Sequence, residues 1–234
     1  MNARNAFGAA LLLLCMSGFG GTALGATPWP QWEAPAGARV QAVAPDVVLN
    51  GKHSRILRID TSDSADSVLA FYRTRLGAKR VENRVHGAQV IAARDGGFFH
   101  TVQVRTNAAG RAETTVITTA LAEGLQRSAV VTDTESMLPA DSAVLQTMES
   151  NDGGLRAVTV IGGNGHDVKT NSEHLRRALQ ERGFRLVKED AAAGSAGTPA
   201  VSTWQSGQGE EAIVTVIDSG THRAVTVHRT KEPK

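Results

Sequence analysis

Seven histidines are the side chains of this sequence best suited to proton or metal chemistry near neutral pH: His53, His86, His100, His166, His174, His222 and His228. None stands at the i, i+4 spacing of a helical zinc pair, and there is no HExxH. His166 and His174 come closest, with Asp167 and Glu173 between them. A metal site needs at least three converging ligands, so ordinary cap or loop roles are the simpler account and no metal is expected. His100 is different. In Phe98-Phe99-His100-Thr101-Val102-Gln103-Val104, alternation puts it on one face with Phe98, Val102 and Val104. A histidine on an apolar face either marks a pocket, with its pKa moved by desolvation, or is a core histidine with one satisfied hydrogen bond. The matching position in the second half of the chain is Ala212.

Other chemistry has less support. Gly162-Gly163-Asn164-Gly165 lies between a strand-like and a helix-like stretch, where amides can meet phosphate. It is not GxGxxG, and Lys169 is out of Walker register. No GxSxG elbow occurs, and Asp218-Ser219-Gly220 reads as a hairpin turn. No pair of carboxylates is fixed by spacing. No catalytic residue and no cofactor is assigned. The aromatic segment Trp29-Pro30-Gln31-Trp32 holds two of the three tryptophans. Its prolines favour an extended path, and its rings either pack back on the domain or anchor a partner. Trp29, Trp32 and His100 are therefore the candidate binding residues. Trp204 reads as a sheet-face core residue of the second half.

The elements that must position these residues recur. Pro35 to Val40 and Pro139 to Val144 each open an extended stretch, and each runs to a turn, Asn50-Gly51 or Asn151-Asp152-Gly153-Gly154. Second strands follow at Arg55–Ile59 and Ala157–Ile161. One helix comes next in each half, with Ser64 and Thr170 as N-cap candidates and Gly77 and Gly183 as stops. Val68, Leu69, Tyr72 and Leu76 share one helical face, as do Leu175, Ala178 and Leu179. Period-two strands close each half, at 79–82, 89–92, 98–105 and 113–119, then at 185–188, 200–204, 212–217 and 224–229. The expected fold is α+β, with two repeated β-β-α-β-β-β-β units, each an antiparallel sheet carrying one helix. The expected domains are a signal over 1–25, a first repeat with an N-terminal extension over 26–121, a linker over 122–137, and a second repeat over 138–234. Ala191 to Thr198 reads as a flexible loop.

The signal assignment rests on Arg4, the apolar run Ala9 to Met16, and the small-residue exit Ala23-Leu24-Gly25-Ala26. A lipoprotein is disfavoured because Leu14 precedes Cys15 where a small residue is required. Cys15 is the only cysteine, so the processed chain holds no thiol for disulfides, nucleophiles or iron–sulfur clusters. No other run reaches the roughly 20 apolar residues a membrane span needs, and none is expected after cleavage. A formal charge of +2 with interspersed signs gives no reason to expect nucleic acid.

The helix segment Ser67-Val68-Leu69-Ala70-Phe71-Tyr72-Arg73 with Leu76-Gly77, and the stretch Leu138-Pro139 to Gly154 with Met148-Glu149-Ser150-Asn151-Asp152-Gly153-Gly154, resemble uncharacterised two-repeat exported proteins of proteobacteria. That resemblance implies no activity and no catalytic residues. The functional expectation is a non-catalytic periplasmic binding or assembly module that recognises another cell-envelope protein, such as a secretion or pilus component. The alternatives are a periplasmic hydrolase using a histidine and carboxylates, and a carrier of a small apolar ligand.

Overall fold

A computed structural model describes residues 28–85, 87–122, 124–152, 154–190 and 198–232. The signal segment with Cys15, His86, Gly153 and most of the loop at 191–198 lie outside the described residues. The elements run β1 (Arg39–Leu49), β2 (Lys52–Asp60), α1 (Ala65–Leu76), β3 (Val81–Val85), β4 (Ala88–Asp95), β5 (Phe98–Thr106), β6 (Ala112–Ala120), α2 (Ala129–Glu135), β7 (Ala143–Asp152), β8 (Leu155–Asn164), α3 (Val168–Glu181), β9 (Phe184–Asp190), β10 (Ala200–Ser206), β11 (Glu210–Asp218) and β12 (Arg223–Lys231).

The expected fold class is corrected by the strand order. Among the described residues, twelve strands belong to one antiparallel sheet, β3-β4-β5-β6-β2-β1-β7-β8-β12-β11-β10-β9, accompanied by three helices, instead of two repeated sheets with a helix apiece. Alternation of apolar and polar residues shows that a segment is a strand with one covered face. It does not show which strand lies beside it, and that pairing defines a sheet. By internal contacts the chain divides into two compact units, one comprising the residues up to Val47 together with 52–124, the other 48–51 together with 125–234.

In the first unit α1 begins where Ser64 accepts the Ser67 N–H at 3.2 Å. Asp66 in its first turn and Arg73 and Arg75 in its last suit the helix dipole. It ends at Gly77, whose φ of 71° is the left-handed conformation glycine takes most cheaply and whose N–H returns to the Arg73 carbonyl at 3.2 Å. The buried face of α1, Val68, Leu69 and Tyr72, meets Ile59, Ile91, Val102, Val104 and Val116. Leu76 is partly buried at the edge of that cluster.

In the second unit α3 is capped by Asp167, which accepts the Thr170 N–H at 2.6 Å, so the helix starts before the expected cap Thr170. Asn171 is buried there and bonds reciprocally with Asn164 at 2.8 and 3.0 Å. Gly162 and Gly163 are ladder residues of β8, paired with Val225 and Ala224. A methyl on Gly162 would come within 2.6 Å of the buried Leu138 Cδ1, so close packing accounts for this glycine without any phosphate. The segment assigned to a linker contains α2, followed by the buried residues Met137 and Leu138. Asp133 of α2 accepts from Arg182 at 2.9 Å and from Arg229 at 2.6 Å, and Arg229 also reaches Glu210 at 2.7 Å. Burial works against the charged form of Asp133, but the hydrogen bonds from Arg229 and Arg182 outweigh it and hold its pKa below the usual carboxylate range.

The Arg229 side chain is only 10 % exposed, so an uncompensated charge there would be costly. Asp133→Asn should lower unfolding stability by about 1–2 kcal/mol, the value of charge-assisted bonds discounted for the half-exposed carboxylate. Urea unfolding at neutral pH measures this, and an unchanged midpoint would show that Glu210 alone satisfies Arg229.

Candidate functional site

Cross-strand register builds the floor of the site in the first unit. Ala93 of β4, His100 of β5 and Thr118 of β6 face one another in a row. His100 is 3 % exposed and Thr118 equally buried. Across this row runs the extended segment holding Trp29 and Trp32. The Trp32 indole N–H donates to Thr118 Oγ1 at 2.6 Å, and its ring meets the His100 ring edge-on with centroids 4.9 Å apart. Trp32 also lies 5.9 Å from the Tyr72 ring. Trp29 packs 5.2 Å from Phe98 with the Arg55 guanidinium 4.5 Å above it. Both tryptophans remain half-buried. The structure thus brings Trp29, Trp32 and His100, chosen from distant parts of the sequence, into one aromatic cluster.

Beside this cluster opens a cleft of about 330 Å³, bounded by Pro30 to Trp32, the end of α1 from Arg75 to Lys79, and Ala93 to Asp95 with His100. Its rim carries Arg75, Lys79 and Arg94 against one lining carboxylate, Asp95. Glu33 stands 3.8 Å from the Arg75 guanidinium. Sequence reading did not single out Thr118 or these cations. Thr118 sits in a run of alternating threonines, and only the register shows that it lies beside His100.

Hydrogen bonds hold one side of the His100 ring. Its Nδ1 is 3.2 Å from Thr118 Oγ1. An indole N–H can only donate, so the Thr118 oxygen accepts from Trp32. That oxygen has a second lone pair as well as its proton, so it pairs with His100 Nδ1 in either tautomer, and Nε2 is the ring nitrogen without a partner among the described residues. Burial lowers the His100 pKa; Asp95 opposes this and Arg75 reinforces it, leaving the pKa below the ordinary histidine value. Tyr72, whose hydroxyl donates to the Glu33 carbonyl at 3.4 Å, is pushed up to about 12 by burial. At neutral pH the cluster is therefore uncharged inside, with cations at its rim.

This geometry does not favour nucleophilic catalysis. Thr118 has a histidine within reach, as an activated hydroxyl would. Yet its oxygen is covered by Trp32 and does not line the cleft. Elsewhere His166 Nε2 lies 2.8 Å from Asp141, a half-exposed pair, while the neighbouring Ser142 hydroxyl accepts from Asn164 at 2.9 Å. His174 lies on α3, and His228 accepts or donates to Thr159 at 2.8 Å within the sheet. Among the described residues no group of three or more His, Cys, Asp or Glu side chains could hold a metal. Among them, too, no helix is long and apolar enough to cross a membrane.

No family model matches this chain, and no curated protein matches it. Among solved structures, the apo structure of immunity protein TplEi of T6SS from Pseudomonas aeruginosa matches over 86% of this chain and 84% of that one, with 9% sequence identity and a TM-score of 0.28. Two chains with so low a TM-score share too little geometry for a fold or a function to be carried from one to the other.

The folded pKa of His100, and of His228, which burial also lowers, lies below the unfolded value of about 6.5. In that window the unfolded chain binds more protons, so stability must fall as pH drops below about 6.5. Urea unfolding at pH 7.5, 6.5 and 5.5 should show the decline, and His100→Gln should flatten part of it. A slope unchanged by that substitution would mean that folding does not depress the His100 pKa.

Proposed function

We propose that this chain is a non-catalytic binding or assembly module, exported to the periplasm by its N-terminal signal, that recognises another cell-envelope protein through the cleft beside Trp32 and His100. The observation that carries this reading is the fixed aromatic pair: Trp32 is held by Thr118 and His100, and Trp29 by Phe98 and Arg55, while both stay partly exposed and Trp32 lines the opening. Large aromatics immobilised before binding cost little further entropy when a partner covers them, which is why they dominate protein interfaces. A hydrolase is less well supported, because the hydroxyl nearest to His100 is covered by Trp32. A carrier of an apolar ligand is less well supported too. The space beneath α1 is filled by Val68, Leu69 and Tyr72, and the cleft opens at the end of the helix among charges.

Photo-crosslinking in intact cells tests the reading. A benzophenone side chain in place of Gln31, an exposed residue of the cleft, should capture one discrete envelope protein. The same group at the exposed Gln208 of the second unit should not. Equal labelling from both positions would remove the cleft from the interface. Trp32→Ala should weaken the adduct and also lower stability by about 1–3 kcal/mol, since the ring is half-buried and hydrogen-bonded.

A further inference from the structure

Resting on the cleft's role as a protein-recognition site, we propose that the group it receives is a carboxylate, carried by an acidic segment of the partner protein. Two independent features point there. The first is an unused ring nitrogen at the floor. His100 is almost fully buried, and its Nδ1 is engaged by Thr118, which leaves Nε2 as the free end of the ring, a donor in the tautomer that a carboxylate would select. Nε2 has no hydrogen-bond partner among the described residues. Nor is it one of the buried side-chain atoms left without a partner, which are Thr114 Oγ1, Glu135 Oε1, Arg223 Nε and Arg229 Nε. It is therefore not sealed from solvent, and His100 lines the cleft.

The second feature is charge. Arg75, Lys79 and Arg94 converge on the rim against the single lining carboxylate Asp95. The Arg75 guanidinium is partly neutralised by Glu33 at 3.8 Å and the Arg94 Nε–H donates to the Gly96 carbonyl at 3.3 Å, while exposed Lys79 has no ion pair among the described residues. An anion entering the cleft would favour the His100 tautomer with its proton on Nε2 and meet it as a donor, with the Trp32 ring at one side and an excess of positive charge around it. A carboxylate fits this arrangement because it accepts from several donors at once, and its short aliphatic stem can lie along the indole. The volume of about 330 Å³ is at the low end for ligand sites, room for a side chain and its neighbours instead of a large cofactor. Rim cations would also attract an acidic partner before contact, an effect that salt weakens.

The test uses the full chain and three probes: a tetraglutamate peptide blocked at both ends, its tetraglutamine counterpart, and free glutarate. Binding is followed by Trp fluorescence and by the ring ¹⁵N resonances of His100. Tetraglutamate should bind and shift the Nε2 signal, tetraglutamine should not, and glutarate should bind roughly tenfold or more weaker for lack of backbone contacts. The paired rim change Lys79→Glu with Arg94→Glu, at exposed positions that leave the core intact, should weaken tetraglutamate by about tenfold, the sum of two modest charge interactions. His100→Gln tests the floor donor separately and should lose affinity without altering the salt dependence. Equal binding of tetraglutamine, or affinity unmoved by the rim pair, would overturn the proposal. Glutarate binding as tightly as the peptide would overturn the protein source and make the site a small-acid receptor. If Gln31 crosslinking still captures an envelope partner while tetraglutamate fails to bind, the recognition role survives and only the carboxylate is excluded.

Discussion

An imidazole on the apolar face of a sheet needs a partner for its ring nitrogens, or its burial costs more than its packing returns. The hydroxyl of Thr118 supplies that partner for His100 while the Trp32 indole donates to the same oxygen. One threonine thus holds two rings. It ties the N-terminal aromatic segment to the sheet and engages Nδ1 of His100, so that Nε2 is the ring nitrogen without a partner among the described residues. Without Thr118, both Trp32 and His100 would lose these hydrogen bonds.

The second unit answers the same problem of buried polarity with charge. Asp133, Arg182, Arg229 and Glu210 form a connected set in which each guanidinium meets carboxylate oxygens, and α2 is held by it. Such a network restricts geometry strongly but contributes little net stability once desolvation is counted. Its Arg229 Nε remains unpaired, so the satisfaction is incomplete. The neutral Asn164–Asn171 pair does similar work at the start of α3, closing the turn between β8 and the helix without any charge. The first unit, by contrast, leaves a ring nitrogen of His100 unpaired beside an opening.

The cleft combines features that interfaces favour: rigid aromatic surface and guanidinium groups at the rim. Trp32 and Trp29 are already immobilised, so a partner would not have to order them. The rim charges add long-range attraction and selectivity more than affinity. Catalysis would ask for something different, an exposed nucleophile beside its base, and here the hydroxyl next to His100 is covered.

The sequence by itself determined the local elements and the identity of the unusual residues. Ser64 and Gly77 bound α1 because cap and stop chemistry depends on a few adjacent residues. Asn50-Gly51 turns with both residues at positive φ, as that dipeptide permits. Trp29, Trp32 and His100 stood out because large aromatics at a terminus and a histidine on an apolar face are uncommon. What the sequence could not determine was pairing. Thr118 is one of several alternating threonines, and Arg75, Lys79 and Arg94 look like ordinary solvated charges. The single twelve-stranded order, and α2 within a stretch that is polar by composition, were equally hidden. Strand neighbours are chosen by backbone hydrogen bonds that every residue type can make, so the tertiary structure alone decided which side chains lie across from His100 and which charges ring the cleft.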